Sequence, residues 1–147
     1  DRSQVMTTSC LRCGYDPSAE IGATWQFHIA LPVQSGNRHI YNVGASRWRY
    51  AKERKTWQDA IRAERLRLGI PGAVSKRRVT FTRYYGGRQR EFDGDNFQTG
   101  AKLIRDALIL EGLISDDRSS AAQFGYVQIQ TNVAEQRGLL VTIEEMA

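Results

Sequence analysis

The sequence predicts an α+β fold: a single domain in the order β-α-β-α-β-β, with a mixed sheet and two packed helices. Three observations predict it. The chain has 147 residues, the length of one ordinary domain. Apolar and polar residues alternate from Trp25 to Leu31, which is typical of a half-buried strand. Two other stretches repeat apolar residues every three or four positions and end at glycine, which is typical of helices.

The first half of the domain contains one predicted strand and one long predicted helix. Alternation predicts the strand from Trp25 to Leu31, and Pro32 ends it. The helix is predicted from about Ser46 to Leu68 and ends at Gly69 and Pro71. Its buried stripe consists of Tyr50, Trp57, Ile61 and Leu68.

The second half contains the second helix and the remaining strands. We predict a strand over Arg78–Tyr84, then a helix that follows Asn96 and ends at about Glu111, where a glycine comes next. The core stripe of this helix consists of Phe97, Ala101, Ile104 and Leu108. Two further strands are predicted over Phe124–Thr131 and Leu139–Glu144.

Residues 1–23 form a polar, turn-rich N-terminal arm, and residues 24–147 form the predicted domain. The arm contains both cysteines of the chain, Cys10 and Cys13, as a lone C-x-x-C. A structural zinc site takes four ligands, so we expect no zinc and interpret the cysteines as a reduced, non-catalytic pair. Metal binding shared between two chains stays open as the alternative.

The composition excludes several classes of protein. An apolar fraction of 41% and a charged fraction of 25% exclude collagen-like, mucin-like and wholly disordered chains. No apolar run approaches the roughly 18 residues that a membrane span requires, so we expect no membrane partner. The polar start of the sequence has no signal-peptide core, so we expect a cytoplasmic protein.

Basic residues are concentrated in one part of the sequence. Residues 38–90 contain 15 basic and 3 acidic residues, although the whole chain carries a net charge of only +5. Such density is typical of proteins that contact polyanions, and a solvated helix surface is the alternative interpretation. The candidates for contact with a nucleic-acid backbone are Arg38, Lys52, Lys55, Arg62, Lys76, Arg77 and Arg78.

An acidic pair precedes the second predicted helix. Asp93 and Asp95 are separated by Gly94 alone, and residues two apart in an extended segment point to the same side. Their mutual repulsion is relieved when both bind one cation. Carboxylate oxygens suit Mg²⁺, with Mn²⁺ as a substitute.

Other charged residues extend this cluster. Lys102 and Asp106 lie seven and eleven positions after Asp95, so all three share one helix face. A lysine there could stabilise charge that grows on a phosphate oxygen, and an ordinary surface ion pair is the alternative. Asp116 and Asp117 follow the helix, as a further part of the ion site or as an ordinary turn.

The set of residues that runs in this order from Asp93 to Asp117 resembles the sequence pattern of the RusA-type Holliday junction resolvases. The resemblance covers about residues 25–146. The members of the set match a D-x-D-N…K…D-x-L…G…D-D pattern, preceded by Leu31-Pro32 and Asn37-Arg38 and closed by Thr142-Ile143-Glu144. Lys102 stands three residues beyond the lysine of the shortest form of the motif, where this chain has Thr99.

The resemblance implies a homodimeric endodeoxyribonuclease that needs Mg²⁺ and resolves four-way (Holliday) junctions by paired symmetric nicks. Such enzymes act on branched DNA in recombination, repair and phage DNA processing, in a bacterial or phage-infected cell. Carried over by position, Asp93, Asp95 and Asp117 are metal ligands, Asp116 supports them and Lys102 is the catalytic lysine. A nuclease for flaps or forks and a non-catalytic junction-binding module are the alternatives.

Overall fold

A computed structural model describes residues 21–36 and 44–146 of the chain. The strands are β1 (Ile21–Ile29), β2 (Arg77–Tyr85), β3 (Ala122–Gln130) and β4 (Gly138–Met146). The helices are α1 (Gly44–Leu68), α2 (Gly94–Gly100) and α3 (Lys102–Leu110), with a short 3-10 helix at Ala134–Gln136. No helix among these residues is long and apolar enough to cross a membrane. The predicted α+β class and element order are confirmed.

The four strands form one mixed sheet in the spatial order β1-β4-β2-β3. β4 lies between β1 and β2 and pairs antiparallel with both. Val141 of β4 is therefore opposite Phe27 of β1 on one side and Phe81 of β2 on the other. β2 and β3 run parallel, with Phe81 opposite Tyr126. The chain between β2 and β3 crosses over through α2 and α3, as parallel neighbours require. This crossover therefore begins beside β2 and returns to the start of β3.

The second predicted helix is broken into α2 and α3 at Ala101, which corrects the prediction of one continuous helix. Ala101 has ψ near −5°, outside the range of a regular α-helix. The preceding Gly100 is buried against the chain at Gln34, where an added Cβ would lie only 1.8 Å from the Gln34 carbonyl oxygen. A residue without a side chain is needed for this approach.

One core lies between the sheet and the helices. The predicted stripe of the second helix is confirmed, because Phe97, Ala101, Ile104 and Leu108 are all buried. In α1, Trp57 and Ile61 are buried, whereas Tyr50 and Leu68 are only partly buried. Gly69 and Gly112 have φ of 66° and 72° after α1 and α3, the conformation that ends helices. Both predicted helix ends are confirmed.

A buried carboxylate holds α1 against the end of α3. Glu111 accepts hydrogen bonds from Arg62 Nη2 and Gln58 Nε2, both at 2.9 Å. Arg65 Nη1 donates to the backbone oxygen of Glu111 at 2.8 Å. The hydrogen bond from Arg62 is the largest cause that lowers the pKa of Glu111 below its ordinary value. The pKa of Arg62 is raised in turn by the same hydrogen bond.

We expect Glu111→Gln to lower the free energy of unfolding at pH 7 by roughly 1–2 kcal/mol, because charge-assisted hydrogen bonds are lost. The folded-state pKa of Glu111 is lowered, so its contribution is complete above the unfolded pKa of about 4.3 and is lost as pH falls through the folded value. The difference between wild type and Glu111→Gln should therefore shrink on acidification, in urea titrations between about pH 7 and 3. A difference that stays constant with pH would contradict this role.

Candidate active site

The acidic pair lies at the start of α2, and its two members have different local roles. Asp93 is the N-cap: its Oδ1 accepts from the backbone N–H of Asn96 at 2.8 Å, and its Oδ2 accepts from Asn96 Nδ2 at 3.0 Å. Asp95 is exposed in the first turn, where a negative charge is favourable to the helix dipole. The D-G-D-N sequence thus explains the helix start as well as the exposed carboxylates.

The segment before this pair is held to the sheet by residues that sequence reasoning missed. Gln128 on β3 accepts from the backbone N–H of Phe92 at 2.9 Å and donates to the Phe92 carbonyl at 2.7 Å. Arg83 on β2 is buried, donates to the Arg90 carbonyl and to Gln128 Oε1, and lies 3.6 Å from the Phe92 ring centroid. Burial lowers the pKa of Arg83. These contacts fix the backbone that leads into Asp93.

Asp116 and Asp117 form a tight turn after α3. Asp116 Oδ1 accepts from the backbone N–H of Asp117 at 2.7 Å, and Arg118 Nε lies 3.2 Å from Asp116 Oδ2. The hydrogen bond from the Asp117 backbone is the largest cause that lowers the pKa of Asp116. Asp116 therefore shapes the turn, and Asp117 extends from it as an exposed carboxylate.

Asp117 lines an open hollow between α2, α3 and the first half of β3. The hollow is lined by Gln98, Arg105, Asp117, Ser119, Ala122, Phe124 and Tyr126. Arg105 Nη1 donates to the Gln98 carbonyl at 2.8 Å and to the Tyr126 hydroxyl at 2.7 Å. The Arg105 guanidinium also lies 5.6 Å from the Phe124 ring centroid. The Arg105 guanidinium and the Asp117 carboxylate thus line the same hollow, and we refer to its lining residues as the Asp117 hollow.

Lys102 lies in a different hollow. It lines a surface depression with residues of α1, among them Tyr50 and Arg54. Its ammonium is 4.0 Å from Asp106 Oδ2, which also accepts a hydrogen bond from the Tyr50 hydroxyl. The Lys102–Asp106 ion pair, the alternative interpretation of these residues, is present, and the structure does not place Lys102 in the Asp117 hollow. The cation in that hollow is Arg105, which no sequence spacing indicated.

The carboxylates suit magnesium in kind, although they do not form a three-ligand cluster. Among the described residues, no three His, Cys, Asp or Glu side chains form a group that could hold a metal ion. Mg²⁺ is often held by one or two carboxylates together with waters and substrate phosphates. Asp95 and Asp117 are exposed carboxylates. Asp93 Oδ1 caps the backbone of α2, and Asp93 Oδ2 accepts from the Asn96 side chain. Metal binding by Asp93, Asp95 and Asp117 stays a prediction.

The predicted basic contacts divide into exposed and buried groups. Lys52 and Lys55 are exposed on α1, and Arg62 is half-exposed but bound to Glu111. Arg77 and Arg78 are 0% and 3% exposed, so the expectation of surface contacts by these two residues is wrong. Both begin β2, which has a neighbouring strand on each side.

Of the remaining predicted residues, the structure describes Lys76 alone. Lys76 is partly buried just before β2. Arg38, Cys10 and Cys13 lie outside the described residues, so the structure says nothing of the backbone contact or of the C-x-x-C arm.

The fold and these residues define a small α+β domain in which an exposed carboxylate and a hydrogen-bonded arginine line one hollow, with exposed lysines on α1. No protein-family model matches this sequence, and no curated protein matches it. The functional conclusion therefore depends on the residues themselves.

Proposed function

We propose that this protein is a Mg²⁺-dependent endodeoxyribonuclease that resolves four-way DNA junctions by paired nicks. The observation that carries the proposal is the Asp117 hollow, in which an exposed carboxylate and the Arg105 guanidinium line one open depression. Gln98 of α2 lines it too, and Asp95 lies one turn earlier on that helix. The sequence resemblance to RusA-type resolvases supports the same function and includes Asp95 and Asp117.

The proposed reaction is hydrolysis of a phosphodiester by water. Asp95 and Asp117 would hold Mg²⁺, which supplies an activated water and neutralises negative charge. Arg105, already oriented by the Gln98 carbonyl and the Tyr126 hydroxyl, donates to a non-bridging phosphate oxygen as charge accumulates there. Asp93 and Asp116 orient the two ligand segments through the helix cap and the tight turn.

The basic part of α1 supplies contacts to the DNA backbone. Lys52 and Lys55 are exposed on this helix, and backbone contacts of this kind position DNA without reading its sequence. A homodimer would present two such sites to the two equivalent strands of a junction. We propose that this happens in the cytoplasm of a bacterial or phage-infected cell.

A non-catalytic junction-binding module is the second candidate. One observation favours it: no three-carboxylate group is assembled among the described residues. A flap or fork nuclease uses the same chemistry as a resolvase and differs only in its substrate.

The deciding experiment is a nicking assay on a labelled mobile four-way junction, with Mg²⁺, with Mn²⁺ and with EDTA. The proposal expects symmetric paired nicks that require the divalent ion. A flap, a fork and a plain duplex of the same sequence are the comparison substrates. Binding without cuts would favour the module, and preferential cutting of flaps or forks would favour the other nuclease.

Substitutions of Arg105 and Lys102 test which of the two residues is the catalytic cation. We expect Arg105→Met to slow single-turnover nicking by about 100-fold, because a donor aimed at the developing charge is lost. Arg105→Lys keeps the positive charge and should recover about tenfold of that loss. Lys102→Met should cost less than about tenfold, because Lys102 lies in the other hollow. The reverse ranking, with melting temperatures unchanged, would restore Lys102 as the catalytic cation.

A further inference from the structure

Trp48, near the start of α1, exposes an unusually large part of its indole. Its exposed fraction is 69%, whereas Trp57 on the same helix is 4% exposed and belongs to the core. Single exposed apolar residues are common on proteins, so the exposure alone means little. Trp48 differs from such residues because charged side chains lie next to it.

Trp48 lies in a shallow hollow with lysines. Lys52, Lys55 and Asp59 line this hollow with it, and the Lys52 ammonium is 5.3 Å from the Trp48 ring centroid. Lys55 Nζ is 3.1 Å from Asp59, an exposed pair that contributes little to stability. An accessible aromatic ring thus lies beside the Lys52 ammonium, in a hollow that Lys55 also lines.

A second hollow adjoins the first, and Ala51 lines both. Three cations line it: Arg47, Arg54 and Lys102, together with Tyr50. The Arg54 guanidinium and the Lys102 ammonium lie 5.9 and 5.7 Å from the Tyr50 ring centroid.

In the second hollow, positively charged side chains outnumber negatively charged ones. The acid beside it, Asp106, is bound by the Tyr50 hydroxyl and lies beside Lys102. Among the described residues, Arg54 Nε is buried and has no hydrogen-bond acceptor. Three cations beside one acid leave a net positive hollow that suits a phosphate group.

We propose that this face of α1 binds an unpaired nucleotide at the branch point of DNA. Trp48 stacks on the exposed face of the base, and the hollow of Arg47, Arg54 and Lys102 takes the adjoining backbone phosphate. In a paired duplex the faces of the bases are stacked on one another, so an indole can reach only a base that has left the stack. The inference rests on the proposed function and deepens it, since it names the feature of branched DNA that is recognised.

The experiment measures binding in EDTA, so that cleavage does not enter. Wild type, Trp48→Ala, Trp48→Phe and Leu66→Ala are titrated against a four-way junction and a plain duplex. Each junction carries 2-aminopurine either at the branch point or within an arm. Leu66 is the matched control, because it is a similarly exposed apolar residue farther along α1.

Trp48→Ala should weaken junction binding by about tenfold and duplex binding by less than about twofold, since one stacked base is lost. The fluorescence change of branch-point 2-aminopurine should disappear in Trp48→Ala and persist in Trp48→Phe and Leu66→Ala. Arg54→Met should lower the slope of log Kd against log salt by about one for the junction.

Equal junction binding and equal fluorescence change in wild type and Trp48→Ala would overturn this inference. If the wild-type protein still nicks junctions, the proposed function survives that result. Equal competition by poly-glutamate and by single-stranded DNA of the same charge would also overturn the inference, because it would indicate a general anion surface. A wild-type protein that binds no branched DNA would overturn the inference and the proposed function together.

Discussion

Asp117→Asn and Asp95→Asn should each slow junction nicking by at least about 100-fold while leaving the junction Kd within about threefold of wild type. The amide keeps the shape of the side chain but removes the negative charge that holds a divalent cation. Both residues are exposed, so the free energy of unfolding should change by less than about 0.5 kcal/mol. Single-turnover cleavage and equilibrium binding of the same labelled junction measure the two effects separately.

Asp93→Asn distinguishes a structural carboxylate from a metal ligand. Asparagine is as good an N-cap as aspartate, so the start of α2 should persist in this variant. If Asp93 is a ligand, as the resemblance implies, cleavage falls as steeply as in Asp95→Asn. If it serves only as the cap seen in the structure, cleavage changes little.

Glu135→Gln is the control for general loss of negative charge, because Glu135 is exposed in the 3-10 helix between β3 and β4. Its nicking rate should match wild type. Wild-type rates in both Asp95→Asn and Asp117→Asn would contradict the nuclease assignment.

Arg77→Met should lower the free energy of unfolding by about 3 kcal/mol, a large effect for a single substitution. Arg77 is fully buried at the start of β2. It donates to the Leu113 carbonyl at 2.9 Å and to Glu145 Oε1 at 3.0 Å, and lies 5.0 Å from the Trp25 ring centroid. Methionine fills the space but leaves these oxygens without their donor. Urea unfolding at pH 7 is the measurement.

Two further variants test the cause of this effect. Arg88→Met makes the same change at an exposed position and should alter stability by less than about 0.5 kcal/mol. In the Arg77→Met, Glu145→Leu double variant the unpaired carboxylate is also gone, so at least about 1 kcal/mol should return. A double variant that is no more stable than Arg77→Met would show that the unpaired carboxylate is not the source of the loss.

Much of the fold could be predicted, because the patterns that specify helices and strands are local. The two glycines that follow α1 and α3 both have positive φ, and the stripe from Phe97 to Leu108 is buried. The break at Ala101 was not predicted from the sequence. Gly100, the residue before it, lies against the backbone of Gln34, which is distant in sequence, and nothing near Gly100 indicates that contact.

The expectation that Arg77 and Arg78 make surface contacts was wrong for a related reason. Three consecutive basic residues before a strand are typical of an exposed surface, and local composition gave no contrary signal. The sheet order places β2 between β4 and β3, and Glu145 comes from the far end of the chain to pair with Arg77. The charge of Arg77 can be buried because the tertiary structure brings the Glu145 carboxylate next to it.

By itself, the sequence determined the α+β class, the glycines that end the helices and the presence of carboxylates within a basic chain. Only the tertiary structure decided which hollow each cation lines. Lys102 and Arg105 are three residues apart on α3, yet one lies beside Tyr50 of α1 and the other beside Tyr126 of β3. Helical spacing determines which residues share a face, but the elements packed against each face determine what those residues contact.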